Sequence, residues 1–211
     1  MQKNLFIAFE GIDGSGKSTQ VQLLAGKLRE QGHKVYTTFE PTDSKIGKMI
    51  RDIFAHKEPA DHRTIAALFV ADRLDHLLHP ENGLLKKLAE GYTVITDRYY
   101  FSSYAYHGTH MSMDWVIAAN ALCADLLRPD LNIYIDMPPE ASMERISKGR
   151  NSTELYETLD NLKQVRDKYL EAFGKEKDRE KIFITDGNRP AEAVAEDVLA
   201  AVNHLAGVAL T

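Results

Sequence analysis

Residues 4–19 read NLFIAFEGIDGSGKST, a short apolar run, a glycine-rich turn and the opening of a helix. Asn4–Glu10 has the length and the aromatic, β-branched character of a buried strand. The next eight residues, Gly11-Ile12-Asp13-Gly14-Ser15-Gly16-Lys17-Ser18, fit G-x-x-x-x-G-K-[ST] in the context the motif requires, after a strand and before a helix. Glycines allow successive backbone N–H groups to turn inward on phosphate oxygens, and the helix that follows adds the positive end of its dipole. Lys17 supplies a point charge at the β- and γ-phosphates, and the Ser18 hydroxyl is a ligand for Mg²⁺. The stretch therefore predicts an ATP site built from Gly11, Asp13, Gly14, Ser15, Gly16, Lys17, Ser18 and Thr19.

Working outward, short β-rich runs alternate with longer amphipathic ones. Lys34–Phe39, Tyr92–Thr96, Leu131–Asp136 and Lys181–Thr185 read as four further strands. Helices are expected from the phosphate loop to about Gln31, then over Ser44–His56, Thr64–His79, Leu84–Glu90, Asp114–Leu127, Glu140–Ser147, Asp160–Lys175 and Ala191–Leu205. Strands separated by helices imply right-handed crossovers and a parallel sheet covered on both faces. The expectation is an α/β P-loop kinase fold in three layers, with five parallel strands and a mobile lid, in one domain over 1–211. In such sheets ligands bind beyond the carboxyl ends of the strands. The segments GIDGSGKST, EP, DRY and DGNRP all follow strands, so all four are expected on one edge. Asp97, at the end of VITD, reads as a second Mg²⁺ residue, with a helix N-cap as the plain alternative.

Composition bounds the partners. The chain has 211 residues, 44% hydrophobic and 27% charged, with a formal net charge of −5. That balance argues against nucleic acid as a partner. A single cysteine, Cys123, excludes an intramolecular disulfide and a cysteine-rich zinc site. No apolar run is long enough to span a bilayer and no secretory signal is visible, so no membrane partner is expected and a cytoplasmic location follows by elimination.

FEGIDGSGKSTQ, the E-P pair after the second strand, ALFVADR, DRYYFSSYAYHG, RPDLNIYIDMPPE and a basic segment before VRDKY occur in that order. This series resembles the thymidylate kinase family over nearly the whole chain, with DRY and the S-S-x-A-Y string as its specific part. The resemblance implies ATP and dTMP as partners, Mg²⁺ as cofactor and a homodimer. It implies that Asp13 meets the sugar 3′-hydroxyl, that Phe69 stacks on the pyrimidine, and that Arg73, one helical turn on, donates to O4. Arg98 would fork onto the monophosphate as a catalytic arginine, a geometry suited to guanidinium. Ser103, with Ser102 beside it, would meet the base edge, and Tyr106 would pack under the sugar with its ring excluding a 2′-hydroxyl. Glu40, presented outward by Pro41, is expected at the acceptor phosphate with Mg²⁺ or Arg98 as partner. His107 departs from the glutamine common in bacterial relatives, and no catalytic role is assigned to it.

The phosphate loop carries no cation besides Lys17, so a second one is expected to meet the charge of the transferred phosphoryl group. The subgroup of the family with lid arginines suggests Arg145, Lys148 and Arg150, in a lid over about 146–158 with Gly149 as its pivot. Arg150 is the expected catalytic cation and Arg145 the residue facing ATP, while Glu154 and Glu157 would tether the closed lid. Asn188 and Arg189 are expected near the adenine. Two other readings remain open: a different P-loop nucleotide or deoxynucleoside kinase, and a P-loop ATPase module whose output is hydrolysis.

Overall fold

The computed structural model describes residues 4–149 and 155–207. Five strands run parallel in the order β2-β3-β1-β4-β5, with β1 Phe6–Glu10, β2 Val35–Phe39, β3 Thr93–Asp97, β4 Leu131–Asp136 and β5 Ile182–Asp186. The expected sheet is present with every strand in its expected place. Strands β1, β3 and β4 lie inside the sheet and are almost wholly buried, while the edge strands β2 and β5 are mostly half-exposed. This is why the central strands read as continuous apolar runs.

Alternation along β1 divides the core in two. Leu5, Ile7 and Phe9 pack with Val21, Leu24 and Leu28 of α1 (Lys17–Glu30) and with Val194, Val198 and Val202 of α9 (Ala191–Ala206). Phe6 and Ala8 face an aromatic layer containing Tyr99, Phe101, Tyr104, Tyr134, Tyr169 and Phe173. That layer is supplied largely by α5 (Tyr100–His107), α6 (Met113–Leu126) and α8 (Leu159–Glu176). A third cluster, Ile50, Ile53, Ile65 and Phe69, joins α2 (Lys45–Phe54) to α3 (His62–Leu78) and walls the end of the sheet. The short α4 (Leu84–Ala89) and α7 (Pro139–Gly149) complete the order. Cys123 is buried. Among the described residues no helix is long and apolar enough to cross a membrane.

Helix α5 has no counterpart in the sequence reading, because all eight of its residues are buried. A helix apolar or enclosed on every side shows no 3.6-residue alternation. The first residues of the expected lid, up to Gly149, belong to α7, and Arg150 and Glu154 lie outside the described residues.

Register sets the site. Phe9 and Phe39 both pair with Asp97, and Asp136 pairs with Asp186. The carboxyl ends of the strands are therefore level, and the four expected segments emerge along a single edge.

Candidate active site

The phosphate loop is fixed by what crowds it. Gly11 and Gly14 have φ of +149° and +75°, and a Cβ at either would stand 2.8 Å from a backbone oxygen, of Ile135 and Ser142 respectively. Only glycine fits both the conformation and the space. Gly16 caps α1 without a side-chain acceptor, and the first turn holds no acidic residue, which leaves the positive helix end to an incoming anion. Lys17 is buried and its Nζ donates to the carbonyls of Gly11 (3.0 Å) and Ile12 (2.9 Å). Burial, with Arg98 nearby, pushes this amine down to about 8. Its charge is held in place at a cost that an anion would offset. The Ser18 hydroxyl lies 2.5 Å from the Asp97 carboxylate. These are two hard oxygen donors beside the phosphate loop, a set that suits Mg²⁺ when phosphate and water complete it. Among the described residues there is no cluster of three metal-ligating side chains.

On one flank of the loop is a pocket lined by Asp13, Phe39, Arg51, Phe54, Phe69, Arg98, Ser102, Ser103, Tyr106, His107 and Tyr156, among others. Arg98 donates through Nη1 to Ser102 Oγ (3.0 Å) and the Gly11 carbonyl (3.2 Å), and through Nη2 to the Asp13 carboxylate. The Tyr106 hydroxyl donates to the same carboxylate (2.8 Å) and accepts from the Asp13 amide (3.0 Å), while the guanidinium carbon sits 5.0 Å from the Tyr106 ring centre. Burial tends to raise the Asp13 carboxyl, but Arg98 and Lys17 outweigh it and hold the group below its ordinary value. Asp13, Arg98, Ser102, Ser103, Phe69 and Tyr106 are thus brought together. One expectation changes: the Tyr106 hydroxyl, and not its ring alone, is engaged, because it clamps the loop residue Asp13.

Arg73 and Glu40 are placed differently from expectation. Arg73 has no exposed surface. Its Nε (2.9 Å) and Nη2 (2.7 Å) face Glu40 Oε2, its Nη1 donates to Ser103 Oγ (3.1 Å) and to Asn120 Oδ1, and its Nη2 also donates to the Tyr99 carbonyl (3.2 Å). A guanidinium has five N–H donors, and all are directed at protein. Arg73 stands behind the pocket wall, one hydroxyl away from it. Glu40, instead of being presented outward, is turned into the interior, where its other oxygen meets His76 Nδ1 at 3.1 Å. Its partners are Arg73 and His76 rather than Arg98 or the Ser18–Asp97 pair, because a buried arginine needs a buried carboxylate.

His107 closes the pocket beside Phe69, with ring centres 5.2 Å apart. It is 2% exposed, its Nδ1 has no hydrogen-bond partner among the described residues, and burial together with Arg73, His110 and His62 pushes it down to about 3. It is a neutral histidine at neutral pH.

On the other flank of the loop, Ser15, Gly16, Thr19, Gln20, Arg145, Gly187, Arg189 and Ala191 line a second pocket. Arg145 is exposed and donates to the Gly187 carbonyl (3.2 Å). Of the expected pair, Arg189 reaches this pocket while bonded to Asp197 (2.5 Å), whereas Asn188 is exposed and its amide is tied back to Asp186. Lys148 is an exposed partner of Glu144, and Glu157 is buried.

Glu10, Arg51, Phe54 and Tyr156 were not singled out from the sequence. Arg51 and Phe54 sit three residues apart on α2, a helix with a strong apolar face, and that spacing was the available signal.

A family model described as thymidylate kinase matches residues 9–198. Among curated relatives, a probable thymidylate kinase of Pyrococcus horikoshii is 36% identical over 211 residues, covering 96% of this chain and 97% of that protein. A probable thymidylate kinase of Caldivirga maquilingensis is 38% identical over 207 residues, with 96% and 95% covered. A thymidylate kinase of Shouchella clausii is 35% identical over 212 residues, with 97% of each covered.

Proposed function

The chain belongs to the thymidylate kinase family, whose members are ATP-dependent nucleoside monophosphate kinases, and we propose the following division of labour for transfer of the γ-phosphoryl group of ATP to dTMP, giving dTDP and ADP. The observation that carries it is the junction of the two pockets: Asp13 belongs to the phosphate loop and also lines the pocket of Phe69 and Arg98. A monophosphate gripped by Arg98 would lie against the loop that holds the triphosphate, the proximity that direct transfer needs.

ATP occupies the loop and the Arg145 pocket, its phosphates on the loop N–H groups and Lys17. Mg²⁺, held by Ser18 and Asp97, would neutralise phosphate charge when bound. Phe69 stacks on the base and Tyr106 lies under the sugar. Ser103 accepts from Arg73, so its own hydrogen is free to turn into the pocket and donate to the O4 carbonyl of thymine. Arg73 therefore acts on the base through Ser103. Cytosine carries an amino group at that position, so the hydroxyl would have to turn its hydrogen away from the base and accept on its remaining lone pair, a rearrangement that costs a hydrogen bond in a desolvated space. Arg98, and Arg150 from the lid, supply positive charge where the transferred group spreads its negative charge. Closure of the lid over about 146–158 excludes water that would otherwise accept the phosphoryl group.

A homodimer formed through α3 and α6 is part of the reading. Leu78 on α3, and Trp115, Leu122 and Leu126 on α6, are large exposed apolar side chains on helices that pack together, and such a face favours association. The location is the cytoplasm.

The test is product analysis with ATP and each candidate acceptor. ADP should form in step with dTDP and only when dTMP is present. ADP release at an undiminished rate without a monophosphate would instead mark the chain as a hydrolytic module.

A further inference from the structure

Glu10 ends the central strand β1, immediately before the loop glycine Gly11. Its carboxylate has no exposed surface, and each oxygen is committed. Oε1 accepts the Tyr99 backbone N–H (2.9 Å), and Oε2 accepts the hydroxyls of Ser102 (2.6 Å) and Tyr169 (3.0 Å). Ser102 Oγ in turn accepts from Arg98 Nη1 (3.0 Å). One carboxylate thus holds the peptide that follows Arg98 and also the hydroxyl on which the Arg98 guanidinium rests.

Arg98 needs such holding. Its φ is +75°, a left-handed conformation that is sterically unfavourable for a side-chain-bearing residue and persists only where surroundings over-determine it. The backbone there is pinned on both sides: the Arg98 amide donates to the Phe9 carbonyl (2.8 Å) and its carbonyl accepts from the Thr96 hydroxyl (2.9 Å). Glu10 supplies the next contact along the chain, to the Tyr99 N–H, and it brings a carboxylate there.

We propose that Glu10 is a positioning residue for the acceptor phosphate: its ionised carboxylate fixes the backbone and the guanidinium of Arg98 in the geometry that grips dTMP. The proposal rests on the reading of Arg98 as the phosphate-gripping residue. The groups facing Glu10 are Arg98 and Ser102 after β3, Lys17 on α1, Tyr169 on α8 and Tyr134 on β4. Burial, against the pull of Ser102, Arg98, Tyr169 and Tyr99, pushes the carboxyl up to about 7, so its charge changes within the range of an ordinary assay. Glu10→Gln imitates the protonated form, with one acceptor oxygen where the carboxylate has two.

The experiment measures kcat/KM for dTMP from pH 5.5 to pH 8 in wild type, Glu10→Gln, Arg98→Ala and the double variant. Both proteins of any pair see the same dTMP, so ionisation of the substrate cancels in their ratio. The expected results at pH 8 are a loss of about 10²-fold or more in Arg98→Ala and of roughly 10–10²-fold in Glu10→Gln. The Glu10→Gln deficit should shrink towards unity at pH 5.5, and the second substitution should add less than about threefold to Arg98→Ala, as expected for coupled residues. A Glu10→Gln activity within about threefold of wild type, or a deficit that ignores pH and multiplies fully with Arg98→Ala, overturns the role of Glu10 while leaving that of Arg98. An Arg98→Ala protein near wild type instead removes the phosphate-gripping reading and this proposal with it. Should Glu10→Gln fail to fold, Ser102→Ala removes the hydroxyl that links Glu10 to the guanidinium, together with its bond to the Tyr169 hydroxyl, and leaves the Glu10 contact to the Tyr99 N–H. A loss of about tenfold, absent in the Arg98→Ala background, supports the proposal, and an unchanged kcat/KM overturns it.

Discussion

The proposed acceptor pocket and the proposed ATP pocket flank the same phosphate loop, yet they are built from opposite materials. On the acceptor side two cations, Arg73 and Arg98, are held in the interior, with Arg51 more exposed at the rim. Arg73 has no exposed surface and spends every donor on Glu40, Ser103, Asn120 and Tyr99, and Arg98 is locked to Asp13, Ser102 and Tyr106. On the ATP side Arg145 is exposed and, among the described residues, donates to one carbonyl, and Arg189 pairs with a surface aspartate. Buried, mutually satisfied groups hold one shape and read a ligand edge, but leave an uncompensated charge when one is removed. Exposed groups adapt and cost little to lose. The acceptor side should therefore couple function to stability, and the ATP side should not.

Four substitutions break or sharpen this contrast. Arg73→Ala strands Glu40 in the interior and should cost about 3–5 kcal/mol, a fall in Tm on the order of 10 °C for a chain of this size, read by thermal denaturation. Lys17→Ala should reduce kcat by about 10²–10³-fold or more, as loss of one transition-state donor does, while Tm stays within a few degrees. The buried amine is held below its ordinary value in the free fold, so the folded state gains nothing from its charge. If Lys17→Ala unfolds and Arg73→Ala does not, the contrast is reversed.

The third test uses pH. Burial holds the folded value of His107 below that of an unfolded histidine, so the unfolded chain takes up the proton first. Stability from this group is fully present above about pH 6.5 and is lost as pH falls towards 3, by roughly 2 kcal/mol at pH 5. Tm of His107→Gln should fall less steeply than that of wild type between pH 6.5 and pH 5. Glu10 works in the opposite sense over part of that range, stabilising as it takes up a proton below about 7, but it is common to both proteins and cancels in the comparison. The smallest effect is expected from Arg145→Ala: KM for ATP about tenfold higher, some 1.4 kcal/mol, with Tm unchanged.

What could be read from the sequence followed the same division. The sheet and its ligand-binding edge were legible because buried parallel strands are continuous apolar runs and the phosphate loop is a local string. Asp13, Lys17, Ser18 and Asp97 were legible because backbone position alone brings them together. Helix α5 was not, since a helix buried on all sides has no period. The places of Arg73 and Glu40 were not legible either: whether an arginine faces a ligand or an interior carboxylate is decided by packing between α3, α5 and α6. Glu10 looked like an ordinary strand end, and only the topology, which makes β1 the central strand, turns it into a buried charge under Arg98.

The central claim is that the acceptor base is read by a fixed interior and the donor base by an adaptable surface. It is tested most directly by two ratios of kcat/KM: dTMP over dCMP with ATP as donor, and ATP over GTP with dTMP as acceptor. A Ser103 hydroxyl that must turn its hydrogen away from a cytosine amino group should make the first ratio about tenfold to 10²-fold, while the exposed Arg145 pocket should keep the second within about tenfold. A first ratio near one beside a large second ratio would contradict the account.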